Sequence, residues 1–83
     1  MYYVYILLCK NKSLYTGVAI DVQKRFEEHK AKKGAKYTRS FVPVRILYKE
    51  SFSNRSDAQK REMQIKGWGR KEKLNLIKSV TSL

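Results

Sequence analysis

The first nine residues constrain this chain most. Tyr2 to Cys9 reads YYVYILLC, an unbroken apolar and β-favouring run with no polar face to give to water. A strand of this kind is stable only when both of its faces are covered, so the run predicts a central strand with neighbours on each side and helices packed above and below. The polar break KNKS then predicts a hairpin turn. A second strand over Leu14 to Ala19 follows, antiparallel to the first, in which Gly17 permits close backbone approach or a bulge.

Helical spacing begins after Asp21, which can cap a helix over residues 22 to 32. Val22, Phe26 and His29 recur on one face, and the lysines and Gly34 end the segment. Residues 34 to 43, including AKYTRS, read as a surface loop. Val44 to Phe52 alternates as a third strand, with Ile46 and Tyr48 on one side. Ser53, Asn54 and Ser56 all offer N-caps, and Ser56 with Gln59 matches a capping box, so a second helix runs to about Lys66, where Gly67 and Gly69 stop it. A last helix spans Arg70 to about Ser79, with Leu74 and Ile77 inward and a frayed VTSL tail.

The predicted order is β-β-α-β-α-α: an α+β fold in which helices flank a small three-stranded antiparallel sheet. With 83 residues the whole chain, 1–83, reads as one domain around one core. Apolar residues make up 42% of it, which is enough for a packed interior and argues against wholesale disorder.

Charge narrows the partner. Nineteen Lys and Arg face seven Asp and Glu, a net charge of +12, and self-repulsion of that size points to a polyanion. Nucleic acid is favoured over a membrane. No segment approaches the roughly 18 apolar residues of a spanning helix, and the basic residues do not form one amphipathic face. The start lacks the basic stretch and cleavage site of a signal peptide, and the single cysteine, Cys9, permits neither an intrachain disulfide nor a cysteine zinc site. A cytoplasmic location is expected.

Both main helices place ionisable groups on their apolar stripe. Arg25 and His29 flank Phe26 on the inward face of the first, and Glu62 falls between Ala58 and Ile65 on the second. Singly, each has an ordinary reading. Arg25 can snorkel along the core edge, His29 can sit against the helix C-terminal dipole, Glu62 can pair with Arg25 or Lys66, and Tyr5 and Tyr15 can be plain strand aromatics.

Together these positions resemble the GIY-YIG nuclease family. Tyr3-Val4-Tyr5 matches the first triplet and Tyr15-Thr16-Gly17 the second, followed by Arg25, His29 one turn on, Glu62 on the next helix and Asn75 on the last. The resemblance covers nearly the whole chain. It is similar to the compact branch comprising stand-alone bacterial proteins and the nuclease module of a structure-selective branched-DNA enzyme. Tyr3 and Thr16 depart from the motif's letters, and Val18 stands where some relatives carry lysine.

The resemblance implies a metal-dependent DNA endonuclease acting in repair or processing, with structure-selective or weakly sequence-selective cutting. Its cofactor is expected to be Mg²⁺, with Mn²⁺ as substitute, held through Glu62. Arg25 is expected to bind the scissile phosphate. Tyr5 is expected to be the general base, passing its proton to His29, while Tyr15 holds the water or phosphate; the two tyrosines in exchanged roles are the alternative. A free tyrosine titrates near 10, so Arg25, the metal or a hydrogen bond has to depress it. Asn75 is expected to fix Glu62 or a helix end.

Lys32, Lys33, Lys36, Arg39, Lys66, Arg70 and Lys71 are candidate phosphate contacts. Tyr37 and Trp68 can stack on bases, Trp68 reading equally as a core plug. Branched or single-stranded DNA and a protein partner supplying specificity are the expected partners. A catalytically silent module binding DNA or structured RNA is the competing function.

Overall fold

A computed structural model describes residues 1–33 and 41–81. The elements are β1 (Tyr2–Cys9), β2 (Leu14–Ala19), α1 (Val22–Lys30), β3 (Pro43–Phe52), α2 (Arg55–Lys66) and α3 (Arg70–Thr81). They form the expected α+β arrangement, with one antiparallel sheet in the order β2-β1-β3. The central place of β1 follows from its sequence: Val4, Tyr5, Ile6 and Leu7 are all at most 1% exposed, so both faces of the strand are buried.

Alternation along β1 divides the core. Val4 and Ile6 pack with Tyr48, with Ala58 and Ile65 of α2 and with Ile77 of α3. Tyr5 and Leu7 pack on the opposite face with Val22 and Phe26 of α1. The sheet is therefore a middle layer, with α1 on one side and α2 and α3 on the other.

Ile46 and Tyr48 do not share a side, contrary to the alternation expected in β3. Ile6 pairs with Tyr48 but Leu7 with Ile46, so Leu47 has no opposite number. This bulge reverses the facing of the strand, sending Ile46 to the α1 cluster and Tyr48 to the α2 cluster.

The end of α1 and the capping box of α2 also differ from expectation. Asp21 caps α1 as predicted, accepting from Lys24 N at 3.1 Å. The helix ends earlier, at Lys30, where left-handed Lys32 (φ 64°) lets Lys33 N reach Glu28 O at 2.8 Å. At α2 the cap is Asn54, which accepts from Asp57 N at 2.8 Å and donates to Asp57 Oδ2 at 3.0 Å. Ser56 lies inside the first turn, so it forms no capping box with Gln59. Helix α3 continues through Thr81, past the end expected at Ser79.

Trp68 packs beside the α2 cluster, with the Arg61 guanidinium 5.2 Å from its ring centroid, so its core-plug reading holds. Arg61 Nε lies 3.2 Å from Glu50 Oε1 as an ion pair without hydrogen-bond alignment, and the Tyr48 hydroxyl donates to Glu50 Oε2. No helix among the described residues is long and apolar enough to cross a membrane.

Candidate active site

Strand β2 is an edge strand, and α1 and α2 approach it from opposite faces of the sheet. Between them lies an open cleft of about 400 Å³. Its lining includes Tyr5 from β1, Tyr15 and Gly17 from β2, Arg25 from α1 and Glu62 from α2. Residues far apart in the chain thus converge where both helical layers meet one sheet edge.

The tyrosines reach the cleft through strand register. Tyr5 stands opposite Gly17 and Leu7 opposite Tyr15, so both rings point to the α1 face. Gly17 is needed there because a Cβ would sit 2.5 Å from Tyr5 Oη and 2.7 Å from its Cζ. The tyrosine ring occupies the space that any side chain at position 17 would take.

Behind Tyr5 lies His29, fully buried on the inward face of α1. Tyr5 Oη and His29 Nε2 are 3.0 Å apart. The Arg25 guanidinium acts on the same phenol, and a neutral His29 carrying its proton on Nδ1 presents Nε2 as the acceptor for the phenol proton. The Tyr15 ring meets the imidazole edge-on, with centroids 5.2 Å apart.

Burial dominates the titration of this pair. It pushes the Tyr5 phenol up to about 12, aided by Tyr15, while Arg25 pulls the other way and loses. The depressed tyrosine expected from the sequence is therefore not what the protein alone provides. Burial, with the Arg25 charge adding to it, holds His29 below the ordinary histidine value, so the imidazole is neutral at pH 7.

Arg25 Nη1 lies 3.4 Å from Glu28 Oε1, and its side chain, about 38% exposed, lines the cleft. Glu62 is less exposed, about 20%, and its Oε2 sits 3.2 Å from Lys66 Nζ. Among the described residues no three His, Cys, Asp or Glu side chains converge on one point, so a cage built wholly from protein ligands is not formed. One carboxylate beside an open, polar cleft suits a hard divalent cation that keeps water and takes substrate oxygens.

Asn75 does not join this group. It is exposed and lines a separate groove with Trp68, Glu72, Leu76 and Ser79, apart from the residues that line the cleft. Among the expected phosphate contacts, Lys32, Lys33 and Lys71 are exposed, Lys66 pairs with Glu62, and Arg70 donates to the Lys12 carbonyl in the β1–β2 turn. Lys36, Tyr37 and Arg39 lie outside the described residues. Arg55 and Gln59 also line the cleft and were not foreseen. Their signal was present, because positions 55, 59, 62 and 66 repeat at the spacing of one helix face.

A family profile described as the GIY-YIG catalytic domain matches residues 1–75. A UPF0213 protein of Staphylococcus haemolyticus is 49% identical over 76 residues, covering 92% of this chain and 93% of its own. One from Staphylococcus aureus is 48% identical over 77 residues, covering 93% and 94%. The solution NMR structure of a UPF0213 protein from Bacillus halodurans is similar at 41% identity and a TM-score of 0.59, over 93% of this chain and 83% of that one. The NMR structure of a protein from E. faecalis is similar at 34% identity and a TM-score of 0.65, over 99% and 88%.

Proposed function

Because this chain belongs to the GIY-YIG nuclease family, we propose that it is a metal-dependent DNA endonuclease, folded as a single domain over residues 1–83. Structure-selective or weakly sequence-selective cutting in DNA repair or processing is the role we assign it. One observation carries the reading: Tyr5, Tyr15, Arg25 and Glu62 line a single cleft open enough to take a phosphodiester.

Hydrolysis needs an activated water, charge neutralisation on the phosphoryl oxygens and help for the departing 3′ oxygen. Glu62 would hold Mg²⁺ or Mn²⁺, which when bound supplies the Lewis acidity for the phosphate and the leaving oxygen. Arg25 presents its fork to the same phosphate. Tyr5 serves best as a relay. Its phenol is too weak an acid to be ionised beforehand, so it takes the water's proton as its own passes to the neutral His29 3.0 Å away. Tyr15, partly exposed at the cleft, orients the water or the phosphate. Base-independent contacts to the backbone explain weak sequence preference.

The direct test incubates the purified protein with branched, flapped and single-stranded DNA and Mg²⁺ or Mn²⁺. Cleavage is expected to stop with a chelator and to fall about 10²-fold in Arg25→Ala. Cutting that survives in Arg25→Ala at the wild-type rate rejects the assignment. Salt-sensitive binding without any product, even at stoichiometric protein, favours the silent binding module instead.

The relay also sets a pH dependence. His29 accepts a proton only while neutral, and its pKa in the fold lies below the ordinary 6.5. The rate is expected to be level near pH 7 and to fall on an acid limb lying below pH 6.5. Stability follows the same sign. The unfolded histidine binds a proton near 6.5 and the folded one only at lower pH, so its contribution is intact above 6.5 and is lost as pH falls through that window. Thermal melts and single-turnover rates over the same pH series check both, and an acid limb of the rate at or above 6.5 contradicts the relay.

A further inference from the structure

Strand β2 turns Leu14, Thr16 and Val18 toward α2 and Tyr15, Gly17 and Ala19 toward α1. Leu14 and Val18 join the α2-side apolar cluster, and Thr16 interrupts it. Thr16 is 2% exposed, and its Oγ1 has no hydrogen-bond partner among the described residues. A buried hydroxyl without a partner costs stability, and a strand position between Leu14 and Val18 would take valine without that cost.

Over Thr16 lies a hollow of about 220 Å³, lined also by Leu14, Tyr15, Lys66 and Lys73. Lys66 is the last residue of α2 and Lys73 belongs to the first turn of α3, so the reversal through Gly67 to Gly69 brings two ammonium groups to one place. Lys66 pairs with Glu62, whereas Lys73 has no ion pair among the described residues. Burial and the Lys66 charge together hold Lys73 below the usual lysine range, a repulsion that an anion between them would relieve.

We infer that Lys66, Lys73 and the Thr16 hydroxyl form a second phosphate subsite, which takes a nucleic-acid backbone phosphate beside the one held in the cleft. The inference rests on the endonuclease reading for its ligand. The two sites are contiguous: Tyr15 lines both, and Lys66 is paired with the cleft's Glu62. A further hollow lined by Ser13 and Arg70 shares Leu14 and Lys73 with the one over Thr16, so a third cationic side chain lies next to the pair. The acceptor-only oxygens of a phosphodiester match two donor-only ammonium groups and a hydroxyl free to turn its O–H toward them.

The test measures binding of a labelled deoxyoligonucleotide to the full chain without metal across a NaCl series, by anisotropy. Lys73→Gln is expected to reduce the slope of log K against log salt by about 0.7–0.9, whereas Lys78→Gln, exposed near the far end of α3, leaves the slope unchanged. Thr16→Val is expected to keep the slope, weaken binding about fivefold and raise the melting temperature by roughly 4–8 °C, because an unpaired buried hydroxyl is lost. A Lys73→Gln slope equal to the wild type's, or an equal fall in Lys78→Gln, overturns the subsite.

Amide NMR titrations identify the source of the phosphate. Saturable shifts at Thr16 and Lys73 with the oligonucleotide but not with inorganic phosphate support a strand contact, and the same shifts with inorganic phosphate alone overturn it. Failure of the nuclease reading is distinguishable. DNA that stays uncut under metal but still shows the Lys73-dependent slope rejects the enzyme and keeps the subsite, while efficient cutting with an unchanged slope rejects the subsite alone.

Discussion

Glu62→Gln is expected to lower the rate of DNA cleavage by about 10³-fold while leaving the fold intact. The substitution keeps shape and removes charge. Among the described residues Glu62 is the one carboxylate lining the cleft, so no second one there takes over a divalent cation. Its loss should cost little stability. The only ion pair it makes among the described residues is with Lys66, whose side chain is 49% exposed, and pairs in that setting contribute about 0–1 kcal/mol. Metal-free affinity for DNA should be equal or slightly higher, since a negative charge has been removed from beside a polyanion. The informative measurement is therefore threefold: single-turnover cleavage, Mn²⁺ binding by paramagnetic broadening of Tyr5 and Tyr15 resonances, and a thermal melt. Wild-type cleavage with the melt unchanged removes Glu62 from the mechanism.

Glu62 is legible in the sequence because it breaks a pattern. Glu62 sits between Ala58 and Ile65, both fully buried, and a solubilising glutamate belongs on the other face of the helix. His29 was legible for the same reason, lying one turn beyond Phe26 on an inward stripe. The central position of β1 followed from eight residues without a polar face.

What the sequence does not reveal arises from pairing between distant segments. The Leu47 bulge exists only because β3 is held against Ile6 and Leu7, and no local preference of PVRILYKESF announces it. Asn75 has the right residue type in the right order, but α3 turns it toward Trp68 and away from the cleft. The approach of Lys73 to Lys66 crosses a helix break, so helical periodicity carries no hint of it. The Tyr5 phenol shows the limit most plainly. Its neighbours Arg25 and His29 could be named in advance, yet whether Arg25 or burial wins depends on how completely the ring is covered, and at 1% exposure burial wins.

That same covered ring makes Gly17→Ala a damaging substitution for so small a change. The backbone at Gly17 is ordinary, so alanine brings no conformational strain of its own. Its Cβ would fall 2.5 Å from Tyr5 Oη and 2.7 Å from Cζ, distances that require the ring to move. Tyr5 has nowhere easy to go: it is enclosed by Leu7, Val22 and Phe26 and bonded to His29 at 3.0 Å. Overpacking of a tight core costs about 1–3 kcal/mol. For a domain of this size that lowers the melting temperature by roughly 4–8 °C per kcal/mol. Displacing the phenol would also break the proposed relay, so cleavage should fall by about 10²–10³-fold, more than the stability loss explains. Tyr5→Phe separates the two effects. It removes the atom nearest the new methyl, so in the double variant part of the melting temperature returns while the cleavage rate stays low. The two single changes are then coupled by about 0.5–3 kcal/mol in a double-mutant cycle. Strict additivity in that cycle, or near-wild-type cleavage by Gly17→Ala, means that contact between Tyr5 and the β2 backbone does not hold the Tyr5 ring in place.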